Sequence, residues 1–178
     1  PMTETAEESP DAEEVSVEEE AEEVVAKEAL GFEVGFTGSV GFINGAYITN
    51  TPVGGSLVIK TPYGFKLGES LDLKVSVAIG SYNGEGAEEP LDAVFGGIGV
   101  NATLFEFVFS EIHLGYIGAG PGVRSFSGVS LEKIMNQGLN LPVNILVGAE
   151  GFLATKADDI QENSTYWGGL GIRLDYSF

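Results

Sequence analysis

Residues 165–178, which close the chain, alternate strictly between two kinds of side chain. The first set of alternate positions is mostly aliphatic and aromatic, and it comprises Tyr166, Gly168, Leu170, Ile172, Leu174, Tyr176 and Phe178. The second set is mostly small or polar, and it comprises Thr165, Trp167, Gly169, Gly171, Arg173, Asp175 and Ser177. A period of two indicates a β-strand whose two faces meet different surroundings. A chain that ends in such a strand is expected to form a sheet or a barrel.

The chemistry of the two faces indicates which of them points outward. Arg173 and Asp175 share the polar face, where they would form a charge pair inside a narrow barrel. The apolar face has aromatic residues toward both ends and aliphatic residues between them, as a strand that crosses a bilayer has. We therefore predict that the apolar side chains point into lipid and the charged ones toward the barrel axis. The alternative is an ordinary amphipathic edge strand that ends by chance on Phe.

The C-terminal aromatic residue supports the membrane interpretation. A terminal Phe178 on an alternating strand resembles the closing strand of small bacterial outer-membrane β-barrels, of the OmpA-transmembrane-domain and OmpX kind. The resemblance is close over residues 170–178 and is one of pattern alone over residues 31–178. It implies that Tyr176 and Phe178 form the insertion signal, that the barrel-insertion machinery reads it, and that the other partner is outer-membrane lipid.

Charge divides the chain at Gly31. Of the net charge of −19, residues 1–30 contribute −11 and residues 31–178 contribute −8. We expect residues 1–30 to be an acidic, partly helical N-terminal extension on the periplasmic side, disordered over residues 1–16 and marginally helical over residues 17–30. The extension is interpreted either as a solvated spacer or as a docking segment for a basic or apolar protein partner. The absence of a basic patch argues against nucleic-acid binding.

Residues 31–178 contain seven clear alternating segments and one doubtful one. The clear segments are Phe32–Phe42, Ser56–Leu67, Leu71–Gly80, Ala93–Phe105, Ile112–Tyr116, Asn140–Ala154 and Thr165–Phe178. The doubtful segment, residues 123–131, reads either as a strand or as the lead into a helical turn over residues 132–136. Between the segments we predict polar loops at residues 44–54, 81–92 and 155–164, and turns at residues 68–70, near Ser110 and at residues 119–122.

An even number of strands is typical of bacterial outer-membrane barrels, so we count residues 123–131 as the sixth strand. The predicted fold is all-β: an eight-stranded antiparallel up-and-down transmembrane β-barrel over residues 31–178. The clear segments run mostly to 10 or more residues. That is enough to cross a bilayer at a tilt, whereas strands of soluble proteins usually have about 5–6 residues.

The polar faces of these strands supply a set of charged side chains that we expect to pair inside the barrel. The predicted interior charge network comprises Glu33, Lys60, Lys66, Asp72, Lys74, His113, Glu150, Arg173 and Asp175. Small residues lie between them, because eight strands leave room only for packed side chains. We therefore expect a narrow, filled interior without free conductance.

Catalytic and metal chemistry are poorly represented. Ser110 and His113 offer a possible hydrolytic pair, but no third group stands out. Asp158, Asp159 and Glu162 lack the spacing of a calcium loop. The chain has no Cys, which rules out thiolate ligands. We expect no catalytic residues, no metal and no cofactor.

Three functions are compatible with this pattern. The first is an integral outer-membrane protein with a structural, anchoring or surface-interaction role. The second is a soluble lipocalin-like barrel that binds a lipid or another apolar ligand, with the apolar face inside. The third, and weakest, is a lipid-modifying enzyme in the same barrel.

Overall fold

The computed structural model describes residues 31–45, 48–68, 70–86, 90–135, 143–157 and 164–178. Over these residues it contains eight strands and one short helix, α1, at Leu131–Ile134. The strands are β1 (Glu33–Asn44), β2 (Val53–Leu67), β3 (Leu71–Glu85), β4 (Pro90–Leu104), β5 (Val108–Ile117), β6 (Gly120–Ser130), β7 (Asn144–Ala154) and β8 (Thr165–Ser177).

The sheet closes on itself. Each strand pairs antiparallel with the next along the chain, and β1 completes the barrel by pairing antiparallel with β8. Val34 lies opposite Tyr176, and Thr37 lies opposite Arg173. The predicted eight-stranded antiparallel up-and-down barrel is therefore confirmed. The start of β1 and the end of β8 lie at one end, here called the termini end; the opposite end is called the far end.

The doubtful segment is a strand followed by a helical turn. Residues 120–130 form β6, and α1 begins directly after it. Ser130 caps the helix, because its Oγ accepts a hydrogen bond from the backbone N–H of Lys133. Both interpretations of residues 123–131 were therefore partly right. α1 lies at the termini end, where β6 ends.

Two predicted connections were placed wrongly. Residues 81–92 were predicted as a loop, yet β3 continues to Glu85 and β4 begins at Pro90. The turn predicted near Ser110 lies at Phe105 and Glu106, which adopt φ values of 50° and 64°. A tight hairpin turn needs this left-handed backbone and normally signals it with Gly or Asn, neither of which is present here.

The turn predicted at residues 119–122 is also displaced. It lies instead at Gly118, with φ 60°, because β6 already begins at Gly120. Strand seven was predicted from Asn140, and β7 begins at Asn144. Residues 140–142 lie outside the described residues, as do the predicted acidic extension and most of the 155–164 loop.

Apolar side chains cover the outside of the barrel. Ile98 is 69% exposed and Leu170 is 58% exposed, whereas Arg124 and Arg173 on the inward face have no exposed surface. Large apolar residues are exposed on strands all around the barrel, including Phe36 on β1, Ile79 on β3 and Leu114 on β5. Within the described part of the chain, no helix has the length and hydropathy to cross a membrane.

Aromatic side chains fill the far end of the interior. Phe152 stacks on Trp167 with ring centroids 4.7 Å apart, and Tyr82 lies 4.5 Å from Phe152. Phe95 packs edge-on against Phe152. These four residues, called the aromatic layer, are all buried. Trp167, which belongs to the mostly polar set of alternate positions on β8, is thus buried inside the barrel.

Candidate functional site in the barrel interior

Below the aromatic layer, charged side chains form one continuous chain of ion pairs. Opposite charges alternate along it in the order Glu150, Arg124, Glu111, Arg173, Asp175, Lys60, Glu33 and Lys74. Every strand except β4 contributes a member. We call this set the interior network.

Arg124 on β6 is the centre of the half of the network that lies nearer the far end. Its Nη1 donates to Glu111 Oε1 at 2.5 Å, and its Nε donates to Glu150 Oε1 at 2.8 Å. Its Nη2 donates to Ser56 Oγ at 2.9 Å. The same Glu150 oxygen accepts a bond of 2.9 Å from the Tyr82 hydroxyl, which ties the network to the aromatic layer. One guanidinium thus joins strands β2, β5, β6 and β7.

Arg173 on β8 continues the network toward the termini end. Its Nη1 donates to Glu111 Oε2, and its Nε donates to Asp175 Oδ1 at 2.5 Å. Glu111 therefore lies between two guanidinium groups, each bound to one of its oxygens. Asp175 Oδ2 accepts from Lys60 Nζ at 2.8 Å.

Glu33, the first residue of β1, joins the last two cations of the network. It accepts from Lys60 Nζ at 3.0 Å and from Lys74 Nζ on its other oxygen. The network holds four cations and four carboxylates, so it is neutral as a whole. Burying charge is costly unless each charge is paired, and every member of the network has at least one partner of opposite charge.

His113 contacts the network from β5 but does not extend it. Its Nδ1 lies 3.4 Å from Arg124 Nη1, and its Nε2 lies 2.8 Å from Ser76 Oγ. A guanidinium only donates, so Nδ1 is the acceptor and Nε2 carries the hydrogen donated to Ser76. In this tautomer His113 cannot take a proton from the Ser76 hydroxyl. The arrangement is that of a hydrogen-bonded structural histidine.

The suggested hydrolytic pairing of Ser110 with His113 is contradicted by the structure. Ser110 lies on the outer face of β5, where its Oγ is 2.7 Å from Ser127 Oγ, whereas His113 is buried inside the barrel. Residues three apart on a strand point to opposite faces, so the barrel wall separates them.

The structure places the nine predicted interior residues in three groups. Six belong to the interior network: Glu33, Lys60, Lys74, Glu150, Arg173 and Asp175. His113 hydrogen-bonds to the network. Lys66 and Asp72 lie opposite each other on β2 and β3 and line a cavity, but neither forms an ion pair with another described residue. The predicted insertion signal, Tyr176 and Phe178, lies on the outer surface with ring centroids 4.9 Å apart.

Sequence reasoning missed Glu111, Arg124 and Tyr82. Glu111 carries the same alternation signal as His113, two positions away on β5. Arg124 alternates with Phe126, but it falls in the segment whose strand character was in doubt. Tyr82 was assigned to a loop that proved to be the end of β3.

A cavity opens below the network at the termini end. It has a volume of about 700 Å³ and reaches from the network residues Lys60 and Asp175 to Lys133 in α1. We call it the vestibule. The expected filled interior is therefore present in the far half of the barrel, and the termini half is partly open.

Among the described residues, no group of three or more His, Cys, Asp or Glu side chains is arranged to hold a metal ion. Asp158, Asp159 and Glu162, weighed above as calcium ligands, lie outside the described residues.

Comparison with known proteins yields little beyond a structural likeness. No protein-family model and no curated protein matches the sequence. Among solved structures, the crystal structure of Neisserial surface protein A is similar, with 16% sequence identity and a TM-score of 0.49. The match covers 85% of this chain and 100% of that one. The barrel assignment rests on the strand pairing described above.

Proposed function

We propose that this chain is an integral outer-membrane β-barrel protein that anchors its N-terminal extension and presents its far-end loops. The observation that carries the proposal is the apolar outer surface of a closed barrel whose inside is charged. This is the reverse of a soluble barrel, in which the apolar face is buried.

The cost of leaving this surface in water supports a lipid environment. Exposed apolar area costs roughly 25 cal/mol per Å² relative to burial. The largest apolar patch on a soluble monomer is typically about 300–600 Å². Here large apolar side chains such as Val40, Ile98 and Ile172 face outward around the whole barrel. A surface of this kind favours acyl chains as its solvent.

The interior argues against the soluble lipocalin-like alternative. A barrel that binds an apolar ligand needs an apolar cavity at its centre. The centre of this barrel holds Arg124, Glu111 and Arg173, all without exposed surface. The vestibule is lined largely by polar and charged residues, so it does not supply that cavity either.

The topology gives the proposed orientation. An even number of strands brings both termini to one end, which faces the periplasm in single-chain barrels of the outer membrane. The acidic extension then lies in the periplasm, where a protein partner for it is part of the proposal. The far end of the barrel then faces outside and offers the surface for interaction.

The filled far half supports a structural role over a transport role. The aromatic layer and the guanidinium groups of Arg124 and Arg173 occupy the cross-section in succession. We therefore propose that the barrel does not conduct solutes freely and has no catalytic function. Assembly would depend on the insertion machinery reading Tyr176 and Phe178.

Extraction and gel mobility test the proposal directly. A membrane barrel stays with the membrane fraction until detergent is added, and its heated and unheated samples migrate differently on a detergent gel. If the protein is soluble without detergent and both samples migrate identically, the proposed function is wrong.

A further inference from the structure

Among the described residues that line the vestibule, four charged side chains lie outside the interior network: Lys66, Asp72, Glu106 and Lys133. Lys60 and Lys74 also line the vestibule, but both are bound by Glu33, and Asp175 is bound by Lys60 and Arg173. At the rim, Lys133 pairs with Glu106 at 3.2 Å. Of the charged residues that line the vestibule, this leaves Lys66 and Asp72 without an ion pair to a described residue.

Lys66 and Asp72 are neighbours on the vestibule wall. They are opposite residues in the β2–β3 register, and both side chains line the cavity. Their charged groups are nevertheless more than an ion-pair distance apart, and no described residue forms a salt bridge with either. Asp72 Oδ1 is buried and accepts no hydrogen bond from the described residues. Since a buried carboxylate oxygen without a donor is unfavourable, Asp72 is suited to accept a hydrogen bond from a ligand in the vestibule.

The charge balance limits what that ligand can be. Among the described residues the network is neutral and Lys66 with Asp72 is neutral too, so an anion or a cation alone would leave one of these two side chains without a partner. A molecule with an ammonium group next to a carboxylate satisfies both side chains and brings no net charge. We propose that the vestibule binds a small zwitterion of the α-amino acid type. Its carboxylate accepts from Lys66 and its ammonium donates to Asp72.

The remaining cavity wall can hold the rest of such a ligand. Leu71, Phe107, Phe109 and Leu146 also line the vestibule. A volume of about 700 Å³ lies within the range of about 300–1,000 Å³ usual for small-molecule sites. An apolar side chain on the zwitterion can therefore lie against this wall. The site lies inside the barrel, so the inference does not depend on where the protein resides.

The proposed binding of a zwitterion in the vestibule is tested by isothermal titration calorimetry on the full chain in an uncharged maltoside detergent. The probes are L-phenylalanine, N-acetyl-L-phenylalanine, which lacks the cation, and L-phenylalanine amide, which lacks the anion. We expect saturable binding of L-phenylalanine and at least tenfold weaker binding of the two derivatives.

Paired variants locate the binding. Lys66→Met and Asp72→Asn should each weaken L-phenylalanine binding at least tenfold. Lys156→Met and Asp92→Asn, at the far end, make the same changes away from the vestibule and should leave binding unchanged. Circular dichroism checks that all four variants keep the barrel.

The inference is overturned if L-phenylalanine does not bind, if a derivative binds equally well, or if the vestibule variants behave like the far-end ones. None of these results affects the membrane proposal, which is decided by extraction and gel mobility.

Discussion

Arg124 donates from Nη1 to Glu111 Oε1 at 2.5 Å, and neither side chain has any surface exposed to solvent. The other oxygen of Glu111 is bound by Arg173. One carboxylate on β5 therefore neutralises two guanidinium groups that come from β6 and β8. Because β5 and β8 are not neighbours in the sheet, the ion pair between Glu111 and Arg173 connects opposite parts of the barrel wall through the interior.

The variant Glu111→Gln should be strongly destabilised. It keeps the shape of the side chain but leaves Arg124 and Arg173 facing each other without the shared carboxylate. Removing one partner of a buried ion pair typically costs about 3–5 kcal/mol. Unfolding of the detergent-solubilised barrel in urea measures the loss.

A surface ion pair provides the control for that measurement. Lys133 and Glu106 lie 3.2 Å apart with 51% and 72% of their side-chain surfaces exposed. Exposed pairs contribute about 0–1 kcal/mol, so Lys133→Met should have a small effect. Equal losses in Glu111→Gln and Lys133→Met would contradict the central role given to Glu111.

Single-cysteine variants should reveal a barrel that is open at one end. The chain has no native Cys, so labelling has no background. Thr103 lines the vestibule, whereas Thr165 is buried beside the aromatic layer. A charged, water-soluble thiol reagent should modify Thr103→Cys at least tenfold faster than Thr165→Cys in the folded barrel.

Unfolding both variants in urea should bring the two labelling rates together. Fast modification of Thr165→Cys in the folded protein would mean that the reagent also enters the barrel at the far end. The account of a barrel that is open only at the termini end would then be wrong.

The variant Phe178→Ala should slow assembly without weakening the finished barrel. Phe178 is 75% exposed, so its removal leaves no cavity and should change stability by less than about 0.5 kcal/mol. Its predicted role is recognition by the insertion machinery. The measurement is the yield of folded protein in membranes that contain this machinery, set against urea stability in detergent.

Phe36→Ala is the matched control, since Phe36 is an outward aromatic residue on β1 that lies outside the terminal motif. It should assemble normally. If Phe178→Ala and Phe36→Ala assemble equally well, Phe178 is not the signal.

The strands could be predicted from the alternation of apolar and polar residues. Successive residues of the barrel wall point to the outer surface and to the interior, and these two surroundings favour different side chains. The pattern predicted that Lys60 and Arg173 lie in the interior, where the structure places them, but it could not predict which residues they pair with. Which carboxylate reaches which cation depends on the stagger of the strands around the barrel, and that is not a local property. Lys66 and Asp72 were therefore expected in the network, whereas Arg124 and Glu111, which belong to it, were missed.

In two places the local sequence predicted a different backbone conformation from the one observed. Tyr82 lies in a stretch of small, polar and Gly residues that is typical of a loop, yet pairing with β4 holds it in a strand. Phe105 and Glu106 adopt a left-handed turn without the residues that usually signal one. In both places the closure of the barrel overrides the local preference.

The most direct test of the membrane account is the cost of placing a charge on the outer surface at mid-height. Ile98 is 69% exposed and lies near the middle of β4, whereas Val53 is also exposed but begins β2 at the far end. An Arg facing lipid at the bilayer midplane costs about 2–4 kcal/mol, falling to about 0–1 kcal/mol near the interface. In lipid vesicles, Ile98→Arg should therefore lower the free energy of unfolding by about 2–4 kcal/mol relative to Val53→Arg. If both variants unfold like the unmodified protein, the outer surface does not face lipid and the account is wrong.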